Sequence, residues 1–412
     1  MKQLLMIAFH FPPAALGSGH LRTLGFARYL PASGWNPIIL SARASAYPRT
    51  AALADGVIPP HCLVQRTLAF DAGRHFAIAG KYPGFIAQPD RWASWWPAAV
   101  WQGLRLIRHN RVQAIWSTYP IMTAHCVAHT LSRMTGLPWV ADFRDPVASS
   151  VDVRNRFSVA SQQRCERRVL ARASRVVFTT PGAMRRYADR YPHAWREGRM
   201  TVVPNGYDES AFTSLLTAVE RQPRTSLRLV HSGILYPDGR DPVPFFSALA
   251  NLKAARALTE ADVRIVLRAS GSEAIYEAEI KRRGLEGMVA LAPPVSNHEA
   301  LLEQADADAL LLFQGSKFDH QIPAKVYEYL RIGRPIFALV GKGGDTEALL
   351  RATGGAKLVA LDDVSSIEQG LVEFIHALRE RRPPVANESV VQGYSRRHGA
   401  VALAGLLDKI IA

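Results

Sequence analysis

"HQIPAKVYEYLRIGRPIFALV", residues His320–Val340, decides how this chain is read. Pro323 stands where the first turn of a helix tolerates a missing N–H, and Gly333 followed by Pro335 supplies a left-handed stop. The spacing predicts a helix over about Pro323–Ile332, feeding an apolar run that reads as a buried strand. A helix that starts at Pro323 and Ala324 points free backbone N–H groups out of its N-terminus, where they and the helix dipole attract an anion. Lys325 adds a cation in a first turn that the dipole alone disfavours, which calls for an anionic ligand. Glu328 lies on the same face, one turn on. Its carboxylate can accept two hydrogen bonds, as the vicinal diol of a ribose requires. Taken alone, the two residues fit an ordinary Lys–Glu surface pair equally well.

The pattern around this stretch recurs along the chain. "QLLMIAF", "NPIILSA", "VQAIWSTY", "PWVADF", "SRVVFTT" and "RMTVVPN" are followed by "LRLVHSG", "VRIVLRASG", "MVALAPP", "ADALLLF", "RPIFALV" and "AKLVAL". These short, non-alternating apolar runs suit strands buried on both faces. Between them Gly19–Leu30, Glu166–Ala173, Val243–Ala255, Ala274–Arg283 and Asn297–Gln304 show helical spacing. Each half therefore reads as a doubly wound parallel α/β sheet. At 412 residues the chain exceeds one ordinary core, and two domains of about 200 residues are expected. The Pro-Asn-Gly turn in "VVPNGYDES", Val202–Ser210, places the hinge, giving domains over 1–205 and 206–392. A last helix from about Arg396, in a segment spanning about 393–412, reads as a separate element.

Apolar residues make up 48% and charged residues 21% of the chain, the balance of a soluble globular protein. Cys62, Cys126 and Cys165 are scattered with no metal-type or redox spacing, which argues for a reducing compartment and against a disulfide framework. The apolar run Leu4–Phe9 is stopped by His10 and a Pro-Pro pair, so a buried first strand is expected in preference to a signal peptide. No stretch supplies the ~20 apolar residues of a membrane span. The expected location is cytoplasmic, with peripheral attachment to the inner face of the membrane as an option. The formal net charge of +15 is uneven: residues 1–200 hold 26 Lys and Arg against 9 Asp and Glu, the remainder 24 against 26. A basic first half beside a neutral second half suggests domains with different partners.

Several segments resemble retaining glycosyltransferases of the GT-B fold, those of the glycogen-synthase-like and mannosyltransferase superfamily. "PAKVYEYLRIGRPIFAL" is similar to their Glu-x-x-x-x-Gly-x-Pro donor motif, on which Glu328, Gly333 and Pro335 fall. "FHFPPAALGSGHLRT" looks like the loop after their first strand, and "VVPNGYDESAF" like their interdomain turn. "HSGILYPDGRDP" looks like the first strand and loop of their second domain. "WVADFRDP" resembles the Asp-Phe-Arg-Asp-Pro segment of bacterial polysaccharide enzymes. The resemblance implies two Rossmann-like domains facing across a cleft, the second holding a nucleotide-diphosphate sugar and the first an acceptor. It implies retention of configuration, no cofactor beyond the donor substrate, and a last helix bracing the first domain. Two positions depart from the pattern. His320 stands where a sugar-contacting glutamate is usual, and Ile234 where an arginine follows the glycine of the second domain's first strand, while Arg240 could serve for the lysine usual a few residues later.

The candidate residues follow from strand ends, where parallel sheets bind ligands. Lys325, Arg240 and the backbone amides of the helix that starts at Pro323 and Ala324 are the expected diphosphate contacts, Glu328 the ribose contact, and His320 lies beside the sugar. Positive charge there can stabilise the leaving diphosphate without a metal. Gly17, Ser18 and Gly19 form a glycine loop that admits close backbone approach, although a plain strand–helix turn fits it too. It lacks the Gly-x-Gly-x-x-Gly of a dehydrogenase. Asp145, ahead of Asp142, is the candidate to orient or deprotonate an acceptor hydroxyl, against an Arg–Asp lock involving Arg144. His10 is a third candidate, whereas His125 reads as structural.

"RWASWWPAAVWQGLRLIRHNR", Arg91–Arg111, fits an interfacial helix on anionic lipid or a core helix with a basic edge. The expected partners are a nucleotide sugar, a glycan or lipid-linked acceptor and an anionic membrane surface. Nucleic acid is not expected despite a pI near 10, because no nucleic-acid motif occurs. An epimerase of the same fold is the alternative enzyme, but it leaves the basic half without a purpose.

Overall fold

The computed structural model describes residues 1–15, 19–51, 56–79, 81–144, 146, 156–213, 215 and 224–412. The chain divides into one unit of Met1–Asn205 with Arg396–Ala412, and a second of Gly206–Ser395. In each unit the central strands are buried on both faces. In β1 (Lys2–Ile7), Leu5 and Ile7 enter one hydrophobic cluster and Leu4 and Met6 another. A sheet of that kind must be covered by helices on both sides, which parallel crossovers supply.

The first unit runs β1, α1 (Gly19–Tyr29), β2 (Trp35–Ala42), β3 (Leu63–Thr67), α2 (Ala72–His75), α3 (Trp95–Asn110), β4 (Ala114–Thr118), α4 (Met122–Thr135) and β5 (Trp139–Arg144). It continues with α5 (Arg156–Arg172), β6 (Arg175–Phe178), α6 (Pro181–Arg190), α7 (Pro192–Arg196) and β7 (Met200–Val202). The sheet order is β3-β2-β1-β4-β5-β6-β7, with neighbours parallel.

The second unit runs β8 (Leu227–Ser232), α8 (Val243–Ala254), β9 (Val263–Arg268), α9 (Glu273–Arg282), β10 (Val289–Ala292), α10 (Asn297–Asp306) and β11 (Ala309–Gln314). After it come α11 (Ala324–Ile332), β12 (Ile336–Val340), α12 (Asp345–Thr353), β13 (Ala356–Ala360), α13 (Val364–Arg379) and α14 (Glu388–Gln392). Its order is β10-β9-β8-β11-β12-β13, again parallel. The last helix, α15 (Arg396–Ile411), belongs to the first unit. Leu403, Ala404 and Leu407 bury there beside Leu24, Phe26 and Ala27 of α1. Truncating either leucine to alanine is expected to cost about 2–5 kcal/mol.

Every apolar run of the sequence lies in a strand. The exception on the other side is β3, an edge strand whose residues are mostly half-buried and which no apolar run announced. α5 starts at Arg156, about three turns before the expected Glu166. The decisive helix spans Ala324–Ile332, with Pro323 as its N-cap and Gly333 closing it at φ 76°.

Candidate functional site

In the second unit the strand order turns between β8 and β11, the switch point at which open α/β sheets bind ligands. The loops leaving these strands meet there: Gly315 N–H donates to the Gly239 carbonyl at 2.8 Å. Arg240 is fixed between them. Its Nε donates to Gln314 Oε1 at 2.8 Å, and its guanidinium lies over the rings of Tyr236 and Phe318 at 5.4 and 5.2 Å. Gln314 is held in turn by the carbonyls of Phe318 and Gln321, at 3.2 and 3.3 Å. Burial pushes the Arg240 pKa below its ordinary value.

The α11 helix starts at the same point. No side chain caps its N-terminus. Tyr329 ties it to β8, accepting from the Ser232 N–H at 3.1 Å. Lys325 turns its ammonium to His231 of β8, with Nζ 3.1 Å from Nε2. His231 is fully buried, and its Nδ1 lies 2.9 Å from the Leu311 carbonyl. Nε2 also lies 3.1 Å from the Gly233 carbonyl, so each ring nitrogen faces a carbonyl and Nε2 the lysine as well. Gly233 adopts φ 114°, and a Cβ there would fall 2.8 Å from Lys325 Nζ, so only glycine leaves room for this pair. Burial, then the charge of Arg240, pushes the Lys325 pKa down to about 7, while Glu328 acts to raise it. The His231 pKa falls well below its ordinary value through burial and then the lysine charge. Two cations are thus brought together at a helix N-terminus, with one carboxylate on the next turn.

Pro323 and His320 are buried, and Ala324, Lys325 and Glu328 are half-buried. Lys325, Arg240, Glu328 and the helix start at Pro323 and Ala324 are therefore drawn into one place. Ile234 is 52% exposed and lies against Gly271 in the loop after β9, contributing no charge. The residue that the sequence reading passed over is His231. It stands at the end of an apolar run, and the small residues Ser232 and Gly233 behind it were the available signal.

In the first unit the order turns between β1 and β4. His10 follows β1 and packs edge-on against Phe9 and Trp92, at 5.1 and 5.8 Å. Burial, with His20 and Arg144 nearby, pushes its pKa down to about 4, so it is a neutral base at pH 7. His20, in the first turn of α1, is lowered as well, by burial and then by Arg396. His10 Nε2 and His20 Nδ1 are both buried without a hydrogen-bond partner among the described residues. Arg144 ends β5 in the left-handed region, φ 61°, where the ladder register slips. Its Nη1 donates to the Gly19 carbonyl at 3.1 Å. His10, His20, Gly19 and Arg144 thus gather at one end of this sheet.

Asp142 is placed differently from an acceptor-facing base. It is fully buried, Arg22 Nε and Nη2 donate to its two oxygens at 2.9 and 3.1 Å, and Thr118 adds a bond at 3.2 Å. Arg22 also reaches the Val203 and Pro204 carbonyls, each at 2.9 Å. Both oxygens of Asp142 are thus engaged and closed off from solvent. Its partner is Arg22 on α1, not its sequence neighbour Arg144. Asp145, Gly17 and Ser18 lie outside the described residues. His125 is a core residue with Nδ1 2.7 Å from Ser117 Oγ.

The tryptophan segment divides between two surroundings. Trp95 is buried, its Nε1 donating to Thr67 Oγ1 at 2.8 Å. Trp96 and Trp101 are 40% and 59% exposed, and Arg105 stacks over Trp101 at 4.8 Å. Among the described residues no helix is long and apolar enough to cross a membrane, and no group of three or more His, Cys, Asp or Glu side chains could hold a metal ion.

No curated protein matches the sequence. Solved structures do. Sucrose-phosphate synthase from Thermosynechococcus elongatus is 15% identical, with a TM-score of 0.68 over 99% of each chain. Anabaena HepE in complex with UDP-glucose is 15% identical, with a TM-score of 0.57 over 100% of this chain and 98% of its own. The lipopolysaccharide outer core galactosyltransferase WaaB is 12% identical, with a TM-score of 0.60 over 97% and 98%. At these identities the likeness is one of fold, and it is the fold of GT-B glycosyltransferases. Residues 17–206 match the family model described as Glycosyl transferase 4-like domain, so both the architecture and the first domain's sequence point to the glycosyltransferases.

Proposed function

We propose that the chain is a glycosyltransferase that takes a nucleotide-diphosphate sugar in its second domain and passes the sugar, with retention, to an acceptor bound by its first. The observation that carries this reading is the Lys325–His231 pair beside Arg240 at the start of α11. Two cations held close to one another in a poorly solvated place repel, and a diphosphate relieves that repulsion. Its oxygens take the backbone N–H groups of Ala324 and Lys325 at the helix start behind Pro323, together with the Lys325 and Arg240 side chains, while Glu328 accepts the ribose hydroxyls. Charge that develops on the leaving diphosphate is then met by groups already in position. Structures of HepE with UDP and with UDP-glucose support a donor of this class.

The acceptor is a glycan or lipid-linked sugar, in keeping with assembly of a cell-surface polysaccharide. His10 and His20 offer it neutral imidazole nitrogens with no partner among the described residues, and Asp145 supplies the carboxylate. The exposed Trp101 and Arg105 surface brings this domain to an anionic membrane.

Ligand-induced thermal shifts with UDP, GDP and their common sugar conjugates test the reading. A selective stabilisation by one nucleotide family, lost in Lys325→Met and in Glu328→Ala, is expected. No shift with any nucleotide sugar in the wild-type protein would overturn the donor assignment.

A further inference from the structure

Cys126 and Cys165 stand 39 positions apart, yet the Cys126 thiol donates to the Cys165 sulfur at 3.4 Å. Cys126 lies on α4 and Cys165 on α5. Both line a cavity of about 180 Å³ together with Trp96, His129, Thr130 and Arg168. The donor site described above uses neither thiol.

The two sulfurs are not equivalent. The bond from Cys126, and after it the charges of Arg168 and Arg164, pull the Cys165 thiol below its ordinary pKa, against burial and the carboxyl of Asp90. The same bond, with burial, pushes Cys126 well above its ordinary value. One sulfur is thus prepared as the thiolate and its neighbour as the resolving thiol, the division of labour that makes a cysteine pair reactive. Cys62, the third cysteine, is half-buried, and burial pushes its pKa up to about 12.

We propose that Cys126 and Cys165 form a peroxide-reactive dithiol that closes into a reversible disulfide between α4 and α5. In the first step the Cys165 thiolate attacks one oxygen of a hydroperoxide. The O–O bond breaks, Cys165 becomes a sulfenic acid, and the leaving oxygen departs as water or an alcohol after taking a proton. In the second, Cys126 attacks the Cys165 sulfur, the S–O bond breaks, and the hydroxyl leaves as water with the proton from Cys126. Overall two thiols lose two electrons, and one peroxide gains them. Bonding requires the sulfurs to close from 3.4 Å to about 2.05 Å. The product staples together the helices that follow β4 and β5.

The test treats the full chain with hydrogen peroxide, alkylates what remains, and maps the cysteines by mass spectrometry. The expected result is loss of two alkylatable thiols, a Cys126–Cys165 cross-link, an alkylatable Cys62, and full recovery with dithiothreitol. Cys126→Ser should stop at the first step, with dimedone labelling Cys165. A disulfide that joins two copies of the chain, or both thiols staying alkylatable, would overturn the proposal. Dimedone labelling of Cys126 in Cys165→Ser, with none at Cys165 in Cys126→Ser, would overturn the assignment of the attacking thiol. A second readout needs no variant: the melting temperature of the wild-type protein should rise on oxidation and return on reduction. An unchanged value alongside unchanged thiols would also count against the pair.

Discussion

The Lys325 ammonium lies 3.1 Å from the Nε2 of His231, a buried ring whose two nitrogens face the Leu311 and Gly233 carbonyls. A neutral imidazole can orient this cation but cannot neutralise it, so its charge is left for a ligand. Burial and Arg240 have pushed the lysine pKa down to about 7, which makes that charge sensitive to pH near neutrality.

Donor affinity should therefore fall as pH rises from about 6 to about 9, because the free protein loses the lysine proton over that range. Binding the anion must raise the lysine pKa, so a proton is taken up on binding above neutrality. Calorimetry with UDP-glucose in buffers of differing ionisation enthalpy reads the uptake, and the nucleotide sugar avoids titration of a terminal phosphate. Lys325→Arg should flatten the profile. Equal affinity at both ends of the range in the wild-type protein would remove the lysine from the site.

The same residue predicts a stability trend without ligand. Its pKa lies near 7 folded and at an ordinary 10.5 unfolded. Between these values the unfolded chain binds more protons, so the lysine's contribution makes stability rise with pH across that window. Below about pH 7 both states are protonated and the folded one carries the full cost of the enclosed ammonium. Urea unfolding of wild type and Lys325→Met should diverge in slope over this window, the variant being flatter.

Glu328→Ala should weaken nucleotide binding without unfolding the chain, since the side chain is half-buried and lies outside the hydrophobic core. Two hydrogen bonds to a carboxylate, at about 1.5 kcal/mol each, correspond to a loss of roughly 100-fold. Titration with UDP, and with the free diphosphate as control, isolates the ribose: the diphosphate should bind both proteins equally.

Much of the fold was legible because the central strands are buried on two faces and so are written as continuous apolar runs. β3 was not, because an edge strand with Leu63 46% exposed carries no such run. The α11 helix was legible from its punctuation, Pro323 and Gly333, and from Lys325 and Glu328 standing close together. His231 was not, because its role depends on a lysine 94 positions away. Asp142 looked like a partner of nearby Arg144, yet its partner is 120 positions upstream. The Cys126–Cys165 pair escaped for the same reason, since its spacing belongs to two helices and not to one motif. Local order is written locally, whereas pairings across a sheet appear only once strand order is known.

The outer face of α3 should bind anionic vesicles. Arg105 and Arg108 are exposed beside Trp101. At about 1 kcal/mol for each basic residue near a charged membrane, replacing both by alanine should weaken co-sedimentation roughly 30-fold. Binding should also fall with salt. If RNA displaced the protein from vesicles at equal charge, the surface would have to be reassigned.

Asp142 and Asp145 stand three positions apart and should fail in different ways. Asp142 is enclosed with Arg22, which is 6% exposed at its side chain. Breaking such a buried pair from one side costs about 3–5 kcal/mol, because the guanidinium keeps its charge and loses its partner. Asp142→Asn should therefore lower the melting temperature and reduce all activities together. Asp145→Asn should keep the melting temperature and donor binding while losing transfer, as the carboxylate proposed to handle the acceptor hydroxyl. Thermal denaturation, UDP titration and a transfer assay on both variants separate the two roles. A stable Asp142→Asn that binds donor but no longer transfers would move the catalytic role to Asp142. Full transfer by Asp145→Asn would exclude that carboxylate from the reaction.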